Sequence, residues 1–271
     1  MLSQLETYLR MERLPHIWCP GCGNGIVLGS LVRAIHELGL DQDKTVIVSG
    51  IGCSSRASGY LDFNTLHTTH GRALAFATGV KLARPELNVF VLTGDGDATA
   101  IGGNHFIHAA RRNIDLTVVV FNNNIYGMTG GQYSPLTPAG RRATTAPFGT
   151  IERNFDIAQL AQAAGATYVA RSTTYHSAML TNLMVAGVRN KGLSVIEAVT
   201  ACPVQYGRRN KLGGGAEMIL WQKEHAVTVK QAEKMSPEEL DGKIVIGELH
   251  RSEAPEYTAM YEQLIQKAQE K

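Results

Sequence analysis

Long apolar runs are missing from this 271-residue sequence. The longest are strand-sized, far short of the ~20 residues that a membrane span needs, so no spanning helix is expected. Charge is also scarce: charged residues make up 18% of the chain, the formal net charge is +2, and the basic residues are spread out. A general nucleic-acid binder would carry a larger electrostatic footprint. The opening stretch Met1–Tyr8 has no basic start followed by an apolar block, which argues against a secretory signal. A cytoplasmic location is expected. In that setting the four cysteines suit metal binding or catalysis better than disulfides. No internal repeat or low-complexity segment is visible. What remains is a 44% hydrophobic chain, rich enough to bury a sizeable core.

The apolar pattern alternates between short β-branched runs and helical spacing. Ile26, Val27, Leu31, Ile35 and Leu38 recur near helical period, with Gly39 placed to end that helix. Strands are expected at Thr45–Gly50, Val89–Thr93, Leu116–Phe121, Thr167–Ala170 and Leu193–Val199. Helices are expected at Ala73–Leu82, Thr99–Arg112 (Ile101, Phe106, Ile107 and Ala110 inward), Asp156–Ala164 and Ser177–Arg189. Met128–Pro147, rich in Gly, Pro, Thr and Arg, reads as a long functional loop. Beyond Gly215 a helix is expected around Met218–Lys234, a strand at Ile244–Leu249 and a helix from Pro255. Strands alternating with helices predict an α/β fold, an open and mostly parallel sheet flanked by helices. Ligands bind such sheets beyond the carboxyl ends of the strands. Glycine-flanked polar clusters follow several predicted strands: Gly50–Ser54, Gly94–Asp97, Asn122–Asn124 and Cys202. They should converge on one sheet edge.

Two constellations carry chemistry. In the first, Gly94 and Gly96 let a phosphate approach the backbone, and the helix that follows offers free amides. Asp95 supplies a hard oxygen ligand, Asn123 a neutral amide oxygen and Ile125 its carbonyl, a donor set suited to Mg²⁺ or Ca²⁺. Either triplet alone could be a plain turn; the pair, each closing a strand, points to a metal–diphosphate cradle. The second constellation is the Cys19–Cys22 pair with Cys53 and Cys202, each of which follows a strand. Four thiolates fit tetrahedral zinc or an iron–sulfur cluster, and spacing does not choose between them. Four unrelated buried cysteines are the bland alternative.

The pair Gly94-Asp95-Gly96 … Asn122-Asn123 resembles the thiamine-diphosphate motif. The wider string Gly94–Gly102 … Tyr126–Gln132 is similar to the β subunit of 2-oxoacid:ferredoxin oxidoreductases, over a stretch from Trp18–Cys22 to Tyr206–Lys211. The resemblance implies a thiamine-diphosphate-binding fold of the pyrophosphate type. It implies Mg²⁺ on Asp95, Asn123 and Ile125. Ile51, Gly52, Cys53, Ser54, His70, Gly94, Gly96, Asp97, Gly127 and Met128 would bind the cofactor, and a [4Fe–4S] cluster would sit on Cys19, Cys22, Cys53 and Cys202. His70 and Arg56 are the candidates for contact with substrate; a structural ion pair is the rival reading of Arg56, and His67 is a second-tier candidate. Residues 1–215 would form the cofactor and cluster domain, and 216–271 a peripheral tail of it. The implied reaction is coenzyme A-dependent oxidative decarboxylation of a 2-oxoacid, with electrons passed to ferredoxin, or its reverse fixing CO₂. The activating glutamate and pyrimidine-binding domain would come from a partner α subunit in an (αβ)₂ assembly. Arg141-Arg142 and Tyr206–Lys211 look more like the 2-oxoglutarate subgroup than the pyruvate one, although Met128–Gln132 lacks the lysine that some relatives carry in that loop. Pyruvate or broad 2-oxoacid specificity, and a zinc-stabilised subunit without catalysis, are the alternatives. The basic run Arg208–Lys211 could face coenzyme A phosphates, the partner or solvent.

Overall fold

The computed structural model describes residues 2–270. Eight strands form one sheet: β1 (Thr45–Ser49), β2 (Asn64–His67), β3 (Asn88–Gly94), β4 (Thr117–Asn122), β7 (Tyr168–Thr173), β8 (Ser194–Val199), β9 (Ala226–Thr228) and β10 (Ile244–Arg251). Their order is β2-β1-β3-β4-β8-β7-β10-β9. Every pairing is parallel except β10 with β7. A two-stranded ribbon, β5 (Ile125–Tyr126) and β6 (Gln132–Tyr133), stands outside it.

The sheet is a consequence of period-two alternation in its central strands. Phe90, Leu92, Val119, Phe121, Ile196 and Ala198 face one side, where helices Asn24–Leu38 and Ser177–Arg189 pack. Val89, Val91, Val118, Val120 and Val195 face the other, under helices Ala73–Ala83, Gly103–Arg112 and Ile157–Ala164. Both faces are therefore covered, and all residues of β1, β4 and β8 are buried. No helix among the described residues is long and apolar enough to cross a membrane.

The fold departs from expectation where the pattern was weak. β2 is an edge strand of Asn-Thr-Leu-His whose residues are exposed or half-buried, so no apolar alternation marks it. The helix expected from Thr99 is split: a π-type turn covers Asp97–Ile101 and the α-helix begins at Gly103. Ile101 and Ile107 consequently face outward, while Phe106 and Ala110 are fully buried. The single helix expected around 218–234 is three pieces, Gly215–His225, β9 and Val229–Ala232. Strand β10 adds antiparallel to β7, so the C-terminal segment extends the main sheet. Gln222 fixes the helix Gly215–His225 to the sheet end: its amide donates to the Val199 and Thr200 carbonyls and accepts from Thr174 Oγ1 and the Tyr175 N–H.

Candidate active site

The carboxyl ends of β1, β3 and β4 open into one pocket. Ile51, Gly52, Cys53, Ser54, His70, Gly94, Asp95, Gly96, Asp97, Asn123, Ile125, Gly127 and Met128 line it together, with Asn24, Phe121, Tyr126 and Thr129 added by the structure. The fold has thus gathered segments lying between Asn24 and Thr129 onto a common wall. Arg56 is exposed and is not part of that lining, nor is His67, which is exposed on β2.

The turn after β3 is built for close approach. A Cβ on Gly96 would lie 2.2 Å from Tyr126 Cζ, and the Tyr126 hydroxyl donates to the Gly96 carbonyl at 3.1 Å. Tyr126 is kept neutral: burial, then the charges of Asp95 and Asp97, push its hydroxyl up to about 12. Asp95 is 3% exposed and accepts a hydrogen bond from Ser134. Burial pushes its carboxyl up to about 7, against the opposing pull of Ser134 and nearby amides. A buried carboxylate under that strain suits a divalent cation, whose charge reverses the local preference for the protonated form.

The turn after β4 is a pair of side-chain-to-backbone bonds. Asn122 Oδ1 accepts from the Asn124 N–H at 3.0 Å and Asn123 Oδ1 from the Ile125 N–H at 3.2 Å. Asn124 takes a left-handed backbone (φ 60°), which asparagine tolerates. Asn122 is anchored from below, where its Nδ2 donates to Glu197 Oε1 at 2.7 Å. Glu197 is itself buried on β8 and paired with Arg171 at 2.6 Å, and Arg171 reaches on to Asp156 at 2.6 Å. An oxygen donor set of Asp95, Asn123 and the Ile125 carbonyl lining one pocket fits a magnesium ion beside a diphosphate.

Asp97 is the hydrogen-bond hub. It is 3% exposed and accepts from Gly71 N–H at 2.7 Å, Thr93 Oγ1 at 2.7 Å and, weakly, Ile51 N–H at 3.4 Å. Its Oδ1 also meets His70 Nδ1 at 2.5 Å, which makes Nδ1 the donor and leaves Nε2 the acceptor in the neutral ring. A Cβ at Gly50 would fall 2.0 Å from Asp97 Oδ2, so glycine is required there for the carboxylate to sit under β1.

All four cysteines are free thiols. Cys19 is exposed, Cys22 and Cys53 half-buried, and Cys202 buried. A Cβ at Gly127 would lie 3.4 Å from Cys202 Sγ and 3.5 Å from Cys53 Sγ, so two thiols flank one glycine on the pocket wall. Cys22 joins them through its carbonyl, which accepts from the Ala201 N–H at 3.0 Å. Burial pushes Cys53 up to about 11, and the charges of Cys202, Cys22 and Cys19 add to it. Burial likewise raises Cys22 and Cys202, with the other thiols contributing. Four thiols that repel one another as thiolates are a donor set that a cationic centre would stabilise. Among the described residues, no three His, Cys, Asp or Glu side chains lie close enough to hold a metal ion between them.

A second, larger groove of about 560 Å³ shares Asn123 with the pocket and is lined by Arg141, Tyr206, Lys211, Met218 and Trp221. The two basic strings meet beside it: Asn210 exchanges hydrogen bonds with the Arg142 backbone at 2.8 and 3.0 Å.

The chain is similar to known proteins over most of its length. Residues 50–198 match the family model of the thiamine pyrophosphate enzyme, C-terminal TPP binding domain. The 2-oxoglutarate synthase subunit KorB of Methanocaldococcus jannaschii is 56% identical over 260 residues, 96% of both chains. The subunit of the same name from Archaeoglobus fulgidus is 62% identical over 203 residues, 75% of this chain and 76% of that one. Among solved structures, a 2-oxoglutarate:ferredoxin oxidoreductase from Magnetococcus marinus, with 2-oxoglutarate, coenzyme A and succinyl-CoA bound, superposes with a TM-score of 0.86 at 32% identity. That match covers 97% of this chain and 90% of the other. On sequence and architecture together, the chain belongs to the thiamine-diphosphate enzymes and, within them, to the β subunits of the 2-oxoacid:ferredoxin oxidoreductases.

Proposed function

We propose that this chain is the β subunit of a 2-oxoglutarate:ferredoxin oxidoreductase. The complex converts 2-oxoglutarate and coenzyme A to succinyl-CoA and CO₂, and the two electrons released pass to ferredoxin; with a strong reductant the reaction can run toward CO₂ fixation. The observation that carries this reading is the convergence of the Ile51–Ser54 loop, His70, Gly94–Asp97 and Asn123–Met128 on one pocket, beside the cysteines.

Asp95, Asn123 and the Ile125 carbonyl would hold Mg²⁺, and Gly94 and Gly96 would admit the diphosphate. Thiamine diphosphate, when bound, supplies the electron sink that lets a 2-oxoacid lose CO₂. Cys19, Cys22, Cys53 and Cys202 would hold a [4Fe–4S] cluster, which supplies one-electron transfer when bound. Around these, the chain's own residues position and exclude. Asp97 fixes the tautomer of His70, so that Nε2 can accept a proton from a ligand group in the pocket. Tyr126, held neutral, gives its one hydroxyl proton to the Gly96 carbonyl and so fixes the turn beside the diphosphate position. The buried Glu197–Arg171 pair holds Asn122, and through it the metal-binding turn. Arg141 and Lys211 line the adjoining groove together with Glu217 and Glu224, so its two cations are the groups there that an anionic substrate would meet.

The activating glutamate and the pyrimidine-binding surface would come from an α subunit, in an (αβ)₂ complex. Phe148 and Ile151, each 97% exposed in the segment after the ribbon, are apolar surface of the kind a partner covers. The test is a panel of 2-oxoacids given to the co-expressed αβ complex with coenzyme A and a viologen dye. The expected preference is 2-oxoglutarate; a preference for pyruvate, or full activity of the β chain alone, would reject the assignment.

A further inference from the structure

We propose that the turn Ser134-Pro135-Leu136-Thr137 is a clamp between the two metal-binding strand ends, holding their oxygens at the spacing of Mg²⁺ rather than Ca²⁺, with Ser134 and Thr137 as its positioning residues. The proposal rests on the functional reading above and deepens it.

The ribbon delivers the turn. β5 begins at Ile125, whose carbonyl belongs to the proposed donor set, and pairs with β6 so that Ile125 lies opposite Tyr133. Ser134 follows directly. Its hydroxyl donates to Asp95 Oδ2 at 2.5 Å, across 39 positions of sequence. Three residues on, the Thr137 hydroxyl donates to the Asn124 carbonyl at 2.5 Å. Asn124 stands between the other two proposed ligands, Asn123 and Ile125. One short turn therefore grips both halves of the cradle.

The two hydroxyls are fully committed. Each carries a single proton. The Ser134 N–H donates to Thr137 Oγ1 at 2.8 Å, and the Leu136 N–H to Ser134 Oγ at 3.3 Å. The turn's own amides thus occupy the hydroxyl oxygens, and the hydroxyl protons go outward to Asp95 and Asn124. The Thr137 N–H closes the turn on the Ser134 carbonyl at 3.0 Å. Ser134, Leu136 and Thr137 are all buried, and Leu136 packs in the core cluster that holds Val89, Val91, Val118 and Val120. The turn cannot swing away without drawing Leu136 out of that core. A turn that served only to reverse the chain would be satisfied by its own amides. Two buried donors aimed out of it, at separate strand ends, are accounted for if those ends must keep a fixed separation.

That separation is what tells the two ions apart. Mg²⁺ takes oxygens at about 2.0–2.1 Å in near-ideal octahedral geometry, whereas Ca²⁺ takes them at about 2.3–2.6 Å and tolerates a flexible cradle. A stiff cradle favours Mg²⁺, and a loosened one loses Mg²⁺ first. Groups that orient metal ligands are typically worth about 10–100-fold in metal affinity.

The experiment uses the assembled αβ complex, freed of magnesium and thiamine diphosphate, carrying Ser134→Ala, Thr137→Val or Thr137→Ser. Uptake of thiamine diphosphate is followed by quenching of protein fluorescence while Mg²⁺ or Ca²⁺ is titrated in, and size-exclusion chromatography checks that the complex stays assembled. Wild type should reach half-saturation at lower Mg²⁺ than Ca²⁺. In S134A and T137V the Mg²⁺ midpoint should rise about tenfold or more, and the Ca²⁺ midpoint by less than about threefold. T137S keeps the hydroxyl and should stay within about threefold of wild type for both ions. Equal weakening toward both ions, which a merely destabilised loop would give, would overturn the proposal. So would Mg²⁺ midpoints of S134A and T137V within about twofold of wild type. Equal use of the two ions by wild type, or failure of both S134A and T137V to assemble, would also count against it, the latter making the turn an element of the fold alone. A wild-type complex that takes up no thiamine diphosphate with either ion would reject the functional reading itself, and the proposal with it.

Discussion

Replacing Asp95 with Asn should make the cofactor-free protein more stable at pH 8 while destroying its response to magnesium and thiamine diphosphate. Asp95 is fully enclosed, and its carboxyl is pushed from an ordinary value of 3.8 up to about 7 by burial. Well below its ordinary value of 3.8 the group is protonated in both folded and unfolded chains and carries no penalty. As pH rises, the unfolded chain releases its proton first. The native state therefore loses stability progressively up to about pH 7, and the loss is complete above it. A gap of about three units at ~1.4 kcal/mol per unit gives a penalty of order 4 kcal/mol at pH 8, and less than about 2 kcal/mol at pH 5. Asn cannot ionise and can still accept from Ser134, so Asp95→Asn escapes that penalty. For a chain of this size the gain corresponds to a rise of order 10 °C at pH 8 and a few degrees at pH 5. Thermal unfolding followed by circular dichroism, with and without magnesium and the cofactor, reads both effects. An Asp95→Asn protein less stable than wild type at pH 8, or a gain that does not change with pH, would refute the reasoning.

Three further substitutions probe other parts of the site. Gly96→Ala puts a methyl 2.2 Å from Tyr126 Cζ; since that ring is held by its hydroxyl, a loss of about 1–3 kcal/mol and weakened cofactor binding are expected in denaturant melts and calorimetry. Glu197→Leu leaves Arg171 with a buried, half-paired charge and should cost about 3–5 kcal/mol; Arg171→Met in the same protein should recover much of it, as denaturant titration would show. Asp97→Asn removes the carboxylate that accepts from His70 Nδ1 and should lower kcat by at least about tenfold with a changed pH profile, whereas a merely structural aspartate would leave the profile intact.

The parts of the site legible in the sequence are those where a strand ends in residues that no strand would choose. Gly94-Asp95-Gly96, Asn122-Asn123 and Gly50–Ser54 interrupt apolar runs, and the parallel sheet brings such interruptions to one edge as a matter of topology. Cys53 and Cys202 are legible for the same reason, and Cys19 and Cys22 by their spacing as a pair. Glu197 lies outside those strand-end clusters, yet a carboxylate inside Leu193–Val199 is itself a signal: a buried charge demands a partner, here Arg171. Asn24 reads in sequence only as the start of a helix, because its place on the pocket wall exists only in three dimensions. Ser134 reaches Asp95 from a loop whose path no periodicity encodes. The outward turn of Ile101 follows from the π-type turn at Asp97–Ile101, which shifts the helical register that the sequence pattern assumes to be unbroken. The C-terminal strands were hard to place because edge pairing of β10 with β7 depends on backbone groups, while its side chains are mostly half-exposed.

The central claim is that this chain joins a metal–diphosphate site to a redox cluster across a shared wall. Freeze-quenched electron paramagnetic resonance of the αβ complex, mixed with 2-oxoglutarate in the absence of ferredoxin, tests it most directly. Wild-type complex should show cluster reduction by 2-oxoglutarate. Asp95→Asn complex should keep its iron and be reducible by dithionite, yet give no signal with 2-oxoglutarate. Reduction of the cluster by 2-oxoglutarate in the Asp95→Asn complex, or none in wild type with full iron and cofactor, would contradict the account.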